Sequence, residues 1–420
     1  MKSEIWDTVD LSEVIMLLTD YHSNGAYKKL KENVELLDKE DFALMIRTTN
    51  FEQNDFTKNN KYITEKAYKF LSKSKVFDDD LIMNKIANAG SIYYAPKLNR
   101  PISLAMNLFL IRINKEKANP KFIYYYLKVN EKYVKSFALG SVTNTITKEA
   151  VKNLKIILPP LVEQNAITQI IESFDNKIEL LQDQNKTLEE TAQTIFTEWF
   201  GKYQIGDELP DGWRIFQLNE LVATVNGYSY KGNELVEYSD EALVTLKSFD
   251  RNGGFQTRGF KPFKGNPKEN QEVKIGDLVV AHTDLTQDAE VLGNPAFIFD
   301  DGGFKKMYIT MDLVKIISLH KDISSSFLYY LMKDKVFKGH CVGYSNGTTV
   351  LHLSKRAIPE YQLLLPTDFN LIKKFSEIAN STTTKISLNK LTIKSLTKTR
   401  DELLPRLMSG EVRVNEFINK

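Results

Sequence analysis

From Leu161 to Phe200 the chain carries an unbroken heptad stripe of Ile167, Ile171, Phe174, Ile178, Leu181, Asn185, Leu188, Ala192, Ile195 and Trp199. Its steps alternate four and three, a mean of about 3.5 residues per turn, the period of a helix packed lengthwise on another helix. Pro159-Pro160 stops what precedes it, and Gly201 is placed to close the helix as a C′ residue. A second stripe starts 208 residues later: Phe375, Ala379, Thr382, Ile386, Asn389, Ile393, Leu396, Arg400, Leu403 and Leu407, closed by Gly410. The first segment has eight acids and two bases; residues 371–410 have eight bases and three acids. Opposite charge flanking a seam favours pairing with each other over self-pairing. The expectation is an antiparallel intramolecular coiled coil, the intervening domain carrying the chain back. The alternative is two solvated helices, each packed on its own domain.

The stripes belong to a wider internal repeat. Trp6 and Trp213 stand at an offset of 207, each followed by alternating apolar residues. Asn24-Gly25 and Asn226-Gly227 follow, a pair that favours tight turns. Next, Ala43–Arg47 answers Ala242–Leu246, Asp80–Met83 answers Gly276–Val280, and Asn107–Ile111 answers Asp312–Ile316, all read as strands. Phe122–Tyr125 answers Phe327–Tyr330, read as a helix on the sheet, and Thr147–Pro159 aligns without a gap to Ser354–Pro366. The fold class expected is α+β: two pseudo-repeated α/β domains separated by two long helices. Boundaries fall at 1–160, 161–201 (first long helix), 202–366 and 367–420 (second long helix and tail).

At 420 residues, two to three domains are expected. A net charge of +2 does not announce a nucleic-acid binder, so any basic surface must be local. The lone Cys341 rules out a disulfide framework and reads as core filler; no apolar run is long enough to span a membrane. These features point to a soluble, cytoplasmic protein with no membrane partner. There is no G-x-x-x-x-G-K-[ST] loop and no G-x-G-x-x-G after a strand. Asn294-Pro295-Ala296-Phe297 lacks the second Pro of the amino-group methyltransferase signature and reads as chance. Five histidines without ligand spacing and one cysteine suggest no metal site, and no nucleophilic triad can be chosen. The expectation is a non-catalytic protein with no cofactor of its own.

The loops are richer. Asn84–Ser91, Ala281–Gln287, Gly140–Thr145 and Gly343–Thr349 carry the amides, hydroxyls and cations that read base edges and hold phosphates. The candidate DNA-contact residues in the first half are Arg47, Thr48, Lys85, Asn88, Ser91, Lys97, Arg100, Asn144 and Thr145. In the second half they are Lys247, Ser248, Arg251, Arg258, His282, Thr283, Gln287, Ser345, Asn346 and Thr348.

These pieces resemble the DNA-specificity subunit of type I restriction–modification systems. The most specific stretches are Asn144–Thr147 through Leu158-Pro159-Pro160-Leu161-Val162-Glu163-Gln164, similar to the family's strand–Pro-Pro–Glu-Gln–helix junction, and Arg400–Glu411, similar to the end of its second conserved helix. Gly276-Asp277-Leu278-Val279 looks like its Gly-Asp approach to a strand; Leu365-Pro366-Thr367-Asp368 departs from the junction pattern. The resemblance implies a non-catalytic subunit whose globular halves are target-recognition domains on double-stranded DNA. It implies two modification subunits using S-adenosylmethionine at adenine N6, and restriction subunits using ATP and Mg. A helix of about 34–40 residues spans roughly 50–60 Å, more than a duplex turn, so two readers held apart would select an asymmetric bipartite target. The rival readings are a free-standing coiled-coil DNA-binding or architectural protein and an enzyme fusion with its own site.

Overall fold

The structure is a computed structural model that describes residues 6–140, 143–249 and 254–414. The chain divides into two compact units, residues 1–177 with 396–420, and residues 178–395. Each long helix, Leu161–Phe200 and Asn370–Met408, therefore contributes to both.

In the first unit a four-stranded antiparallel sheet runs Ile15–Asp20, Leu108–Ile113, Leu81–Asn84, Ile92–Tyr94. A second runs Tyr62–Ile63, Ala43–Ile46, Ile102–Leu104, Lys75–Val76, its middle pair parallel. Asp7–Asp10 pairs with Lys155–Leu158, the strand that leads into the long helix. The second unit repeats all three sheets. Its four-stranded sheets run Val222–Asn226, Leu313–Ser318, Leu278–Ala281, Pro295–Phe297 and Lys261–Pro262, Glu241–Val244, Lys306–Ile309, Glu272–Val273, with the parallel pair in the same place. Trp213–Gln217 pairs with Gln362–Pro366. Sequence landmarks thus map onto one topology built twice.

The central strands are apolar throughout because the sheet has a core on each face. Successive side chains point to opposite faces. Leu81, Met83, Phe109 and Ile111 pack with the helix Pro120–Val129, while Ile82, Leu108 and Leu110 join the core under the parallel pair. In the second unit Leu278, Val280, Val314 and Ile316 divide in the same way from Val279, Ala281 and Leu313. Corresponding strands also begin from a left-handed residue, Asp79 at φ 69° and Gly276 at φ 94°.

Within each unit the long helices meet antiparallel, partner numbers falling on one as they rise on the other. In the first, Arg400 Nη1 donates to Asp175 Oδ1 at 2.7 Å. In the second, the Asn389 amide donates to Gln184 Oε1 at 2.9 Å and Asn185 Oδ1 at 2.8 Å, and Phe375 packs against Phe196, Trp199 and Phe200. All residues of both stripes are buried or half-buried. Two of the polar members that broke the apolar pattern are seam partners: Asn389 faces Asn185 and Arg400 faces Asp175.

Asn24-Gly25 does close a tight turn, the Gly25 N–H donating to the His22 carbonyl at 3.2 Å, whereas the turn expected at Asn226-Gly227 and the cap expected at Gly201 are corrected. Asn24 ends a short 3-10 turn, Tyr21–Asn24. Asn226 ends a strand, and Gly227 lies so close to the Thr310 carbonyl that a Cβ would stand 2.0 Å from it. Gly201 is not among the glycines at positive φ, and its N–H still donates to the Thr197 carbonyl at 2.8 Å, continuing the helical ladder. Gly410, at φ 76°, does take the left-handed cap.

The Pro-Pro–Glu-Gln junction now has a physical account. The Glu163 carboxylate, 2% exposed, accepts from Trp6 Nε1 at 3.0 Å and from Arg413 Nε and Nη2 at 2.8 and 3.0 Å. Arg413 also lies over the Trp6 ring. Gln164 Nε2 donates to the Pro159 carbonyl and its Oε1 accepts from the Asn119 N–H, both at 2.8 Å. Start of chain, start of helix and the segment after the second helix therefore converge on one buried carboxylate. Arg413→Ala strips the charge partner and should cost about 2–4 kcal/mol, while Glu163→Gln, which keeps an acceptor for Trp6, should cost less. Urea unfolding of the two variants beside the parent checks the order.

Candidate nucleic-acid interface

The loops singled out from sequence come together at one end of each unit. In the first, the segment after Leu81–Asn84 meets the hairpin around Gly140. The Ala87 N–H donates to the Asn144 carbonyl at 3.0 Å and the Ile146 N–H to the Lys85 carbonyl at 3.0 Å. Leu139 and Thr145 exchange backbone hydrogen bonds of 2.8 and 2.9 Å. Lys85, Asn88, Ser91, Asn144 and Thr145 thus share one surface. Asn88 and Asn144 are exposed there, whereas Ser91 is buried and donates to Glu131 Oε1 at 2.7 Å.

In the second unit the same contacts harden into a three-stranded sheet of Thr283–Asp284, Leu351–Leu353 and Ser345–Asn346. Thr283 and Asn346 flank His352 from the two outer strands, with Thr348 exposed at the hairpin tip. Gly140 and Gly347 hold the same hairpin position. A Cβ there would stand 2.2 Å from the Thr143 carbonyl oxygen and 2.0 Å from that of Val350, so only glycine fits. Asp284 orders the neighbouring loop by accepting from the N–H groups of Thr286, Val291 and Leu292. Gln287 is exposed on that loop. A groove of about 770 Å³ adds Lys247, Gln256 and Arg258 to Asp284, Leu285 and Thr286. Ser248 is fully buried beneath, with Gly259 pressed against its backbone nitrogen. Arg251 lies outside the described residues.

Of the other candidates, Arg47 and Thr48 follow the parallel pair, as Lys247 does in the second unit, while Lys97 and Arg100 lie elsewhere. Arg47 N-caps the helix that begins at Thr48, its backbone N–H on Asn50 Oδ1 at 3.0 Å and its guanidinium on the Asn59 carbonyl. Arg100 pairs with Glu40 and covers Tyr62, before the parallel pair rather than after it. Lys97 faces Asp79, which precedes the strand that Lys85 follows. The structure does not gather Lys97 and Arg100 with the loop cluster.

Residues that the sequence reading passed over also stand at this surface. Asp20 accepts from Lys85 Nζ at 3.2 Å, from Lys148 Nζ at 3.3 Å and from the Ser23 hydroxyl at 2.8 Å. Burial pushes its pKa up, but Ser23 and the two lysines outweigh that and hold it below the usual carboxylate range. Burial, followed by His352 and Lys355, holds His282 below the ordinary histidine range, with Asp312 acting against them. A signal for Lys148 and Lys355 was available: they occupy the second position of the gapless repeat Thr147–Pro159 and Ser354–Pro366.

The motifs set aside as inert are structural. Cys341 is fully buried, and burial pushes its thiol up to about 12. Pro295–Phe297 is a strand of the antiparallel sheet, Pro295 and Ala296 buried. Among the described residues no set of three His, Cys, Asp or Glu side chains could hold a metal ion, and no helix is long and apolar enough to cross a membrane.

The geometry is that of two matched scaffolds presenting amides, hydroxyls and cations on unlike loops. Residues 4–190 match the family model described as the type I restriction modification DNA specificity domain. The chain carries a type I DNA specificity domain. Over 84% of its length, and 84% of the relative's, it is 26% identical to the type I restriction enzyme MjaVIII specificity subunit of Methanocaldococcus jannaschii. It is 24% identical to the MjaIX specificity subunit of the same organism over 88% of this chain and 85% of that one. The crystal structure of a type I restriction–modification S subunit from M. genitalium superposes with a TM-score of 0.60, at 16% identity and 97% coverage of both chains, and so shares the fold.

In the specificity domain, Ser91 helps to anchor Glu131. Burial raises the Glu131 pKa, yet the ammonium of Lys135, the Ser91 hydroxyl and Lys128 hold it down to about 2. A carboxylate depressed on folding adds stability above its unfolded pKa and loses it as pH falls through the folded value. Stability should therefore decline between about pH 4.5 and 2, and Glu131→Gln should flatten that part of the profile. Thermal unfolding across this range is the measurement.

Proposed function

We propose that the chain is the non-catalytic DNA-specificity subunit of a type I restriction–modification complex. In this reading the globular parts of 1–160 and 202–366 are target-recognition domains, each reading one half of an asymmetric bipartite target through its loop cluster. The observation that carries it is the repeat itself: one scaffold built twice, with the same polar hairpin and partner loop in each copy but different side chains on them. Equal readers would select a palindrome; unlike readers select an asymmetric site. The specificity-domain match supports the reading.

Double-stranded DNA and other restriction–modification subunits are the partners. Two modification subunits would supply S-adenosylmethionine chemistry at adenine N6, and restriction subunits would supply ATP- and Mg-dependent cleavage, which places the assembly in the cytoplasm. The candidate contacts are those at the loop clusters, chiefly Lys85, Asn88, Asn144 and Thr145, and Lys247, Arg258, His282, Gln287, Asn346 and Thr348. The rival picture, a coiled-coil dimeriser, is disfavoured because the stripe it needs is covered within a single chain.

Methylation-sensitive sequencing of genomic DNA, from cells expressing the modification subunit with and without this gene, tests the proposal. N6-methyladenine should vanish from one interrupted, non-palindromic motif when the gene is removed. A methylome that does not change, or a contiguous palindrome, rejects it.

A further inference from the structure

The strand register allows the two units to be compared residue by residue. Asp20 and Met83 both pair with Phe109, and Asn226 and Val280 both pair with Val314. Asp20 therefore corresponds to Asn226, and Lys85, two residues after Met83, to His282. Backbone hydrogen bonds agree: the Lys85 N–H donates to the Asn107 carbonyl and the Ile146 N–H to that of Lys85, while the His282 N–H donates to the Asp312 carbonyl and the Leu353 N–H to that of His282. On the other side, Asp7 pairs with Leu158 and Arg214 with Leu365, which makes Lys148 the counterpart of Lys355.

Each unit thus brings two basic side chains to one place, where the long strand gives way to the recognition hairpin. In the first, Lys85 and Lys148 take opposite oxygens of a single carboxylate, which leaves one positive charge over. In the second, the corresponding acid is an amide, Asn226. The carboxylate that acts on His282 is Asp312, which accepts from the hydroxyls of Thr283 and Thr310. Lys355 is exposed and among the described residues pairs with no acid. Had these lysines served only to staple Asp20, nothing would place a lysine at 355, where that acid is missing. What the two sites share is a lysine, Lys148 or Lys355, set beside a second nitrogen base, Lys85 or His282, at the loop cluster.

We infer that this repeated position is a phosphate seat, Lys148 with Lys85 and Lys355 with His282 each holding one backbone phosphate of bound duplex. The inference rests on the DNA-recognition reading and adds two residues to it. Phosphate contacts fix register without reading sequence, which suits a position kept in both units while the surrounding loops differ.

The test uses the chain assembled with its modification subunits, on a duplex carrying the methylated motif and on a scrambled duplex. First, the wild-type complex must prefer the motif; no preference sinks the parent reading, independently of the seat. Lys148→Gln and Lys355→Gln should then each lower the slope of log K against log salt by about 0.9, and weaken both duplexes alike. Lys148→Arg and Lys355→Arg should retain the slope. An unchanged slope with a lowered unfolding temperature would mark a structural staple and overturn the seat. So would a loss confined to the motif duplex, which would mark a base contact.

Discussion

The seam between the two long helices decides what else the chain can do. An apolar heptad stripe alone allows a helix to slide by whole heptads, because every register buries similar area. Asn389 removes that freedom: its amide is satisfied only opposite Gln184 and Asn185, and a slipped register leaves a buried amide without a partner. Arg400 and Asp175 do the same in the other unit, with Tyr125 donating to the second oxygen of Asp175 at 2.5 Å. The least apolar positions of the stripes are the ones that specify the alignment.

Much of this frame is legible from residue order. The heptad steps, the apolar runs and the gapless Thr147–Pro159 match each reflect a local rule that the packing obeys. The central strands read as strands because both faces are covered, so Leu81–Met83 and Leu278–Val280 needed no alternation to be recognised. What fails to show is direction along a strand. Lys97 and Arg100 look as eligible as Lys85, yet facing Asp79 puts Lys97 at the start of a strand that Lys85 follows, and at roughly 3.3 Å per residue the ends of such a strand are about 10 Å apart. Asn226-Gly227 departs from the expected turn for a related reason. The pair signals a permissive backbone, but Gly227 is used for close approach to Thr310 rather than for a hairpin.

Glu163 shows how a motif can be specific and yet not functional in the chemical sense. A carboxylate in a helix's first turn, three residues after Pro-Pro, is suited to the helix dipole. Here it is buried, and its acceptor capacity is taken up by an indole N–H and a guanidinium drawn from opposite ends of the sequence. The second junction has Pro366 followed by Thr367 and Asp368, and both the Pro-Pro and the Glu-Gln pairs are missing. It solves the problem differently: the Thr367 N–H and hydroxyl both donate to the Gly212 carbonyl, at 2.7 and 2.9 Å. The departure in sequence is a change of fastening, with the strand pair Trp213–Gln217 and Gln362–Pro366 retained.

Beside the loop clusters, on strands that correspond in register, the halves diverge in charge. Asp20 and Asn107 become Asn226 and Asp312, an exchange that moves one carboxylate across the same pair of strands. Lys85 becomes His282, which burial, His352 and Lys355 together keep below the ordinary histidine range. The hairpin glycines, by contrast, cannot change, because a carbonyl oxygen occupies the space of any Cβ. A scaffold whose backbone is pinned by glycine and whose polar face is free to vary is suited to recognition that must differ from one copy to the next. The fixed positions supply geometry; the variable ones supply the pattern of donors and acceptors that distinguishes one half-site from another.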